Sequence, residues 1–278
     1  MRILVTGGSG YLGSALLHHL HAGRPQTELA ATYFSKTPAF DFASLFRLDL
    51  CDGDSIQDVV RRVEPDVIVH TAAQVQGSLD ALRRVNAAAS GILARAAKEN
   101  HARLVHLSTD LVFDGRQGNY REEDPPNPVV EYARSKFEAE EEVLASGAEA
   151  VIVRTSLIYG FAPVDPRTRA VLDGDMPRLF ADERRSPIWV DNLCAALAEL
   201  CEGDYTDILH VAGAQDLSRH DFGIKLVRAL GGDESRLIAT RSGESGLIRP
   251  LDCTLDCSRA RMILRTTLLG VDEVIARL

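Results

Sequence analysis

Residues 6–13 read TGGSGYLG, directly after the apolar triplet Ile3-Leu4-Val5 and at the start of a helical stretch, YLGSALLHHLHA. Few arrangements restrict a chain so much. Gly7 permits a tight turn from strand to helix, Gly10 lets a backbone approach an anion, and Gly13 lets the helix pack closely on the strand. The N–H groups at the helix start are then free to face a pyrophosphate. Glycine triplets are common in turns, but this one has the strand before it and the helix after it that a dinucleotide loop requires.

Strand and helix continue to alternate beyond this loop. Leu29–Phe34 is strand-like. Ser55–Val63 reads as a helix with Asp54 as its N-cap, and Val67-Ile68-Val69 is a buried strand. Residues 79–99 read as one long helix, Leu104–Leu107 as a strand, 130–145 as a helix and Ala150–Val153 as a strand. Strands that are apolar on both faces and alternate with helices predict a parallel sheet covered on both sides. The expected class is α/β, a Rossmann-type doubly wound parallel sheet with a smaller C-terminal substrate lobe. The division expected is 1–157 for the dinucleotide-binding domain and 158–278 mainly for the second lobe. Elements near 188–213 return to the sheet, and short helices are expected near 191–202, 219–230 and 271–277.

In such a sheet ligands bind beyond the carboxyl ends of the strands. The expected cofactor contacts are therefore Gly7, Ser9, Gly10, Tyr11, Leu12 and Gly13 in the loop, and Asp49-Leu50 after the FRLDL segment. Thr71, Ala72 and Ala73 are expected after the fourth strand and Ser108 after the fifth. The second strand ends in Tyr33, Phe34, Ser35 and Lys36, without the carboxylate that accepts the 2′-hydroxyl of an NAD ribose. Ser35 and Lys36 suit a 2′-phosphate, so NADP is expected, with NADPH preferred over NADH.

The apolar run Leu104–Leu107 stops at Ser108-Thr109-Asp110, and further on EYARSK places Tyr132 and Lys136 four apart on one helical face. A phenol has an unperturbed pKa near 10, and a neighbouring ammonium lowers it toward one useful for proton transfer. Thr109 is placed to hold a carbonyl oxygen near that phenol. Tyr132, Lys136 and Thr109 are the candidate catalytic residues.

With these residues in view, the chain resembles the extended short-chain dehydrogenases/reductases, and more closely the dTDP-4-dehydrorhamnose reductase family. The matching pieces are TGGSGYLG, STDLVFDG at 108–115, YREEDPPNP at 120–128, YARSK at 132–136, RTSLIYG at 154–160 and RPLDCTLDCSRA at 249–260. They follow the family's order over nearly the whole chain. The resemblance implies NAD(P)H-dependent reduction of a 4-keto sugar nucleotide in the cytoplasm, as in dTDP-rhamnose biosynthesis. Tyr132 would be the proton donor and Lys136 would bind the nicotinamide ribose. Thr109, Asp110, Leu157 and Arg249 would contact substrate. Asn86 matches an asparagine common on the helix under the site.

Two departures fall on the substrate side. Leu157 stands where the family usually has a large aromatic, and AAQVQGSLDALRR replaces a Val-Asp-Lys-like segment. Two other readings stand beside the reductase. One is a nucleotide-sugar epimerase or dehydratase. The other is a redox-silent regulatory subunit like the methionine adenosyltransferase beta subunit.

Composition narrows the partners. A net charge of −9 argues against general nucleic-acid binding, and no apolar stretch is long enough to span a bilayer. Five cysteines without metal-type spacing read as free thiols in a reducing compartment, and no metal is expected. The partner expected is a small-molecule sugar nucleotide, with a homodimer allowed and neither nucleic acid nor membrane. His18, His19 and His21, and the acidic run Glu138–Glu142, read as solvated faces. Arg184 and Arg185 read more readily as surface residues than as phosphate ligands.

Overall fold

The alternation of apolar strands and helices becomes one seven-stranded sheet in the computed structural model, which describes every residue except Leu247. The chain runs β1 (Arg2–Thr6), α1 (Tyr11–Gly23), β2 (Glu28–Tyr33), β3 (Ser44–Arg47), α2 (Gly53–Val63) and β4 (Val67–His70). Next come α3 (Leu79–Leu82), a π-helical turn Arg83–Ala88 and α4 (Ala89–Glu99) in unbroken succession. β5 (Arg103–Thr109), α5 (Glu131–Ser146) and β6 (Ala150–Thr155) follow. Then come β7 (Ile158–Tyr159), α6 (Pro166–Leu172), β8 (Arg178–Phe180), β9 (Arg184–Arg185), β10 (Ile188–Trp189), α7 (Val190–Glu202) and β11 (Asp207–His210). The chain ends through β12 (Leu217–Ser218), α8 (Arg219–Ala229), β13 (Ile238–Thr240), α9 (Ser258–Ile263) and α10 (Val271–Ile275).

The sheet order is β11-β6-β5-β4-β1-β2-β3, and it is a parallel sheet. Val5 sits in register with Ala31 on one side and Val69 on the other. Winding reverses between β1 and β4, which opens the crevice where such sheets bind ligands. One face is covered by α2, α4 and α5: Ile56, Val59, Val60, Leu93, Ala97 and Val143 pack with Leu4, Ala30, Ile68, Leu104 and Ile152. Each fully buried Val, Leu or Ile contributes about 1.5–3 kcal/mol, so this layer stabilises the sheet substantially. Alternate strand residues point to the other face. There Leu17 of α1 and Ala31 close on Gly8, where a Cβ would lie 3.0 Å from Leu17 Cδ1 and 2.8 Å from Ala31 Cβ.

Two units share the chain. The first comprises Met1–Ser108, Glu131–Val153 and Cys194–Leu209; the second comprises Thr109–Val130, Arg154–Leu193 and His210–Leu278. Residues 109–130, grouped with the first lobe by the strand–helix pattern, fall in the second unit, and 194–209 fall in the first. Among its described residues the second unit has three two-stranded ribbons, β10 with β7, β12 with β9, and β13 with β8. Its main apolar cluster joins Tyr159, Phe222, Leu226, Leu269, Val271 and Val274, with Leu157 and Trp189 packed against it.

Local corrections are few. The N-cap of α2 is Asp52, which accepts from Ser55 N–H, because the helix starts at Gly53, earlier than expected. The expected 79–99 helix is interrupted by the π-turn, which widens it where Asn86 turns inward. Glu140 is not solvated. It is buried and accepts a hydrogen bond from Ser108 Oγ. Arg185 is likewise no surface residue, since two buried carboxylates and three carbonyls surround its guanidinium.

Gly13 shows why the loop sequence is restricted. A Cβ there would lie 2.3 Å from Gly7 O and 2.9 Å from Thr71 Oγ1. Gly13→Ala is therefore expected to destabilise the first unit by about 1–3 kcal/mol, read as a lower urea midpoint. An unchanged midpoint would mean the loop is looser than its geometry.

Candidate active site

The carboxyl ends of β1, β2 and β4 meet around a cleft of about 520 Å³. It is lined by Gly7, Ser9 and Gly10 from the loop, Thr32–Phe34 from β2, Leu48–Cys51 after β3, Thr71–Gln74 after β4, and Val85. That size suits a nucleotide-sized ligand. Gly7 has φ +73°, and a Cβ on it would come within 2.9 Å of Ala72 Cα. Thr32 fastens the loop from β2: its Oγ1 accepts from Gly7 N–H at 3.3 Å and its carbonyl from Gly8 N–H at 2.8 Å. Thr71 Oγ1 donates to Thr6 O at 2.6 Å and ties β4 to β1. The backbone lip just before α1 thus fits a dinucleotide pyrophosphate.

Of the expected cofactor residues, Gly7, Ser9, Gly10, Asp49, Leu50, Thr71, Ala72 and Ala73 line this one cleft. Gly13 packs behind the loop, and Tyr11 and Leu12 open α1. Asp49 accepts from Cys51 N–H at 2.8 Å through Oδ1. Ser35 and Lys36 lie in the exposed turn after Phe34, outside the residues lining the cleft. A cation that the sequence pattern does not single out is Arg47. It pairs with Tyr33 in register and donates through Nε to Phe34 O at 3.3 Å, so it lies at the cleft's lip. Only the sheet pairing brings it there, so no local pattern could have revealed it.

The same unit carries α5 with Tyr132 and Lys136. Lys136 is buried, and its Nζ lies 3.4 Å from His106 Nε2. Burial pushes its pKa down to about 8, and the nearby Glu140 carboxylate works against that shift. Asn86 sits beneath: Nδ2 donates to Ser135 Oγ at 2.9 Å, and Ser135 Oγ donates to Tyr132 O at 2.7 Å. Asn86 also exchanges hydrogen bonds with the backbone of Gln74, which bounds the cleft.

The second unit has its own polar cluster. Thr109 Oγ1 donates to Asp110 Oδ1 at 3.1 Å and accepts from Leu111 N–H. Ser156 Oγ donates to Asp110 Oδ2 at 2.6 Å, and Arg185 Nε lies 3.7 Å from that oxygen. Burial raises the Asp110 pKa, partly offset by Arg185, Ser156 and Thr109. The guanidinium of Arg249 is engaged by Glu183, with Nη2 at 3.0 Å from Oε2. Glu183 is fully buried and also faces Arg185 and, at 4.0 Å, Arg219. Leu157 packs beside Trp189 against the Tyr159 cluster.

Buried neutral histidines give the protein an acid sensitivity. Burial holds His70 and His210 down to about 3, and His106 well below its ordinary 6.5. The unfolded chain binds these protons below about pH 6.5 while the folded chain does not, so stability falls as pH drops through that value. The expected slope is about 1.4 kcal/mol per pH unit for each histidine kept neutral. Urea midpoints compared at neutral and mildly acid pH test this, and a flat profile contradicts it.

A family model described as the RmlD substrate binding domain matches residues 1–277. A probable low-salt glycan biosynthesis reductase of Haloferax volcanii is 30% identical over 269 residues, covering 91% of this chain and 86% of that protein. The methionine adenosyltransferase 2 subunit beta of Bos taurus is 28% identical over 276 residues, covering 93% of this chain and 81% of that protein. The crystal structure of a hypothetical dTDP-4-dehydrorhamnose reductase from Sulfolobus tokodaii has a TM-score of 0.84 at 33% identity, covering 98% of each chain.

Proposed function

The chain belongs to the family of the RmlD substrate binding domain, and on that footing we propose that it is an NADP(H)-dependent reductase of a 4-keto sugar nucleotide. The observation that carries this reading lies within the first unit. A glycine-lined cleft at the sheet's switch point is accompanied by a helix bearing Tyr132 and a buried Lys136.

Gly7, Ser9 and Gly10 would hold the pyrophosphate, Asp49 and Leu50 the adenine side, and Thr71–Ala73 the inner half of the cofactor. When bound, the dinucleotide supplies the hydride that reaches the ketone carbon. Tyr132 gives its phenolic proton to the carbonyl oxygen as negative charge develops there. Lys136 would hold the ribose and, as an ammonium, favours the phenolate left behind. On the family resemblance, Thr109 would be the residue that orients the carbonyl. Similarity to the methionine adenosyltransferase 2 subunit beta supports a second reading, a partner-binding subunit without turnover.

Consumption of NADPH or NADH with freshly generated dTDP-4-keto-6-deoxyhexose tests the proposal. Turnover with NADPH supports it. Bound NADPH without turnover on this or other 4-keto sugar nucleotides opposes it. Arg47 and Lys36 are the cations offered to a 2′-phosphate. Arg47→Ala is expected to raise KM for NADPH about tenfold, one lost charge-assisted contact, with little change for NADH. Equal effects on both coenzymes would remove Arg47 from that role.

A further inference from the structure

Beneath Lys136 lies a buried polar layer that proton donation by Tyr132 does not by itself require. Its proton arrangement can be worked out atom by atom. Ser90 Oγ gives its only proton to Asn86 O at 2.5 Å, so it accepts from His70 Nε2–H at 3.1 Å. His70 Nδ1 then carries the lone pair and accepts from Thr6 Oγ1–H at 2.6 Å. Thr6 Oγ1 in turn takes Ala72 N–H at 3.4 Å. Both nitrogens of His70 are thus used by the neutral ring, and a second ring proton on Nδ1 would require the Thr6 hydroxyl to turn its own proton away.

His106 stands between this ring and the lysine. The two imidazole centroids are 5.3 Å apart and tilted by 38°. His106 is fully buried, its Nε2 is 3.4 Å from Lys136 Nζ, and its Nδ1 meets no partner among the described residues. An ammonium has donors only, so with Lys136 charged His106 Nε2 must be the acceptor and Nδ1 must carry the proton. One helical turn beyond Lys136, the buried Glu140 takes the hydroxyl proton of Ser108. The groups facing Lys136 are therefore His106 on β5, with His70 of β4 behind it, and Tyr132 and Glu140 on α5. A buried ammonium is costly without an acceptor and a counter-charge, and this layer supplies one of each.

We propose that His106 is a positioning residue for Lys136: its neutral imidazole accepts the ammonium from below and, with the Glu140 carboxylate, sets the pH at which the lysine loses its charge. The consequence for turnover, an upper pH limit fixed by this layer, rests on the reductase reading. The coupling between His106 and Lys136 does not.

The test is a titration of lysine side chains by NMR on protein labelled at lysine Cε, with Lys136 assigned by its loss in Lys136→Arg. The intact protein is expected to show Lys136 titrating near 8. His106→Phe and Glu140→Gln should each lower that midpoint by about one pH unit, the scale of one lost charge-stabilising partner. His106→Gln keeps an acceptor oxygen and should restore it. His106→Leu serves in place of the phenylalanine variant if the larger ring does not fit. In the assay, the high-pH limb of kcat should move down in step in the same variants and recover in His106→Gln, which a purely structural role would not produce.

An unmoved Lys136 midpoint in folded His106→Phe or His106→Leu protein overturns the proposal. A midpoint that moves while the kcat limb stays overturns the link to turnover. A midpoint that moves in a protein with no turnover leaves the coupling standing and overturns the reductase reading instead.

Discussion

Tyr132→Phe is expected to lower kcat for reduction of the keto sugar nucleotide about a thousandfold, roughly 4 kcal/mol of transition-state stabilisation. The substitution removes one oxygen. The alkoxide formed at the former ketone must then take its proton from water rather than from a positioned phenol. NADPH affinity should change little, because the cleft that would hold the adenine and pyrophosphate is built from the ends of β1, β2 and β4 and does not include Tyr132. Lys136→Met should behave differently. It removes the charge that favours the phenolate and the proposed ribose contact together, so kcat falls and KM for NADPH rises. Steady-state kinetics of the two variants, with a separate NADPH titration, check both expectations. Near-normal turnover in Tyr132→Phe would remove the tyrosine from the proton-donor role.

Glu183→Ala is expected to be the most destabilising single change in the second unit, by about 3–5 kcal/mol. The carboxylate is fully buried and faces Arg185, Arg219 and Arg249, and Arg185 is itself only 2% exposed. Without Glu183, three guanidinium groups remain crowded, with Asp110 paired to Arg185 and acting on Arg219 only from farther away. Arg185 keeps its bonds to the carbonyls of Arg184, Leu251 and Pro250, but these satisfy its N–H groups and not its charge. Glu183→Gln should cost less, since it keeps the shape and half of the acceptor capacity. Arg228→Ala, which breaks an exposed pair with Glu234, should change stability by less than about 1 kcal/mol. Urea midpoints for the three variants measure the contrast. A Glu183→Ala midpoint equal to that of Arg228→Ala would contradict it.

The sheet was readable from the sequence because its strands are apolar on both faces and its first turn is marked by glycines. The cleft was readable for the same reason: Gly7 and Thr71 follow a strand directly, and Asp49 and Gly10 come within a few residues of a strand end. What escaped were contacts made by pairing and burial rather than by local pattern. Arg47 reaches the cleft only because β3 lies beside β2. His70 and His106 did leave a trace, since His70 ends the apolar run of β4 and His106 interrupts that of β5. A single polar residue in such a run does not say what it bonds to. Glu140 looked solvated because its neighbours Glu138 and Glu142 are. On α5, however, it points to the face shared with Lys136, where Ser108 waits. Arg249 is far from Glu183 and Arg185 in sequence, and an arginine that partners a buried carboxylate has no sequence mark separating it from one that binds a phosphate.

The most direct measurement uses NADPH carrying deuterium at its transferable nicotinamide position, incubated with the protein and dTDP-4-keto-6-deoxyhexose. The sugar nucleotide recovered is then examined by NMR and mass spectrometry. The account predicts one deuterium on the newly formed carbinol carbon, stoichiometric with NADPH consumed, and almost none with Tyr132→Phe. Sugar recovered without deuterium while NADPH binds in the cleft would contradict it.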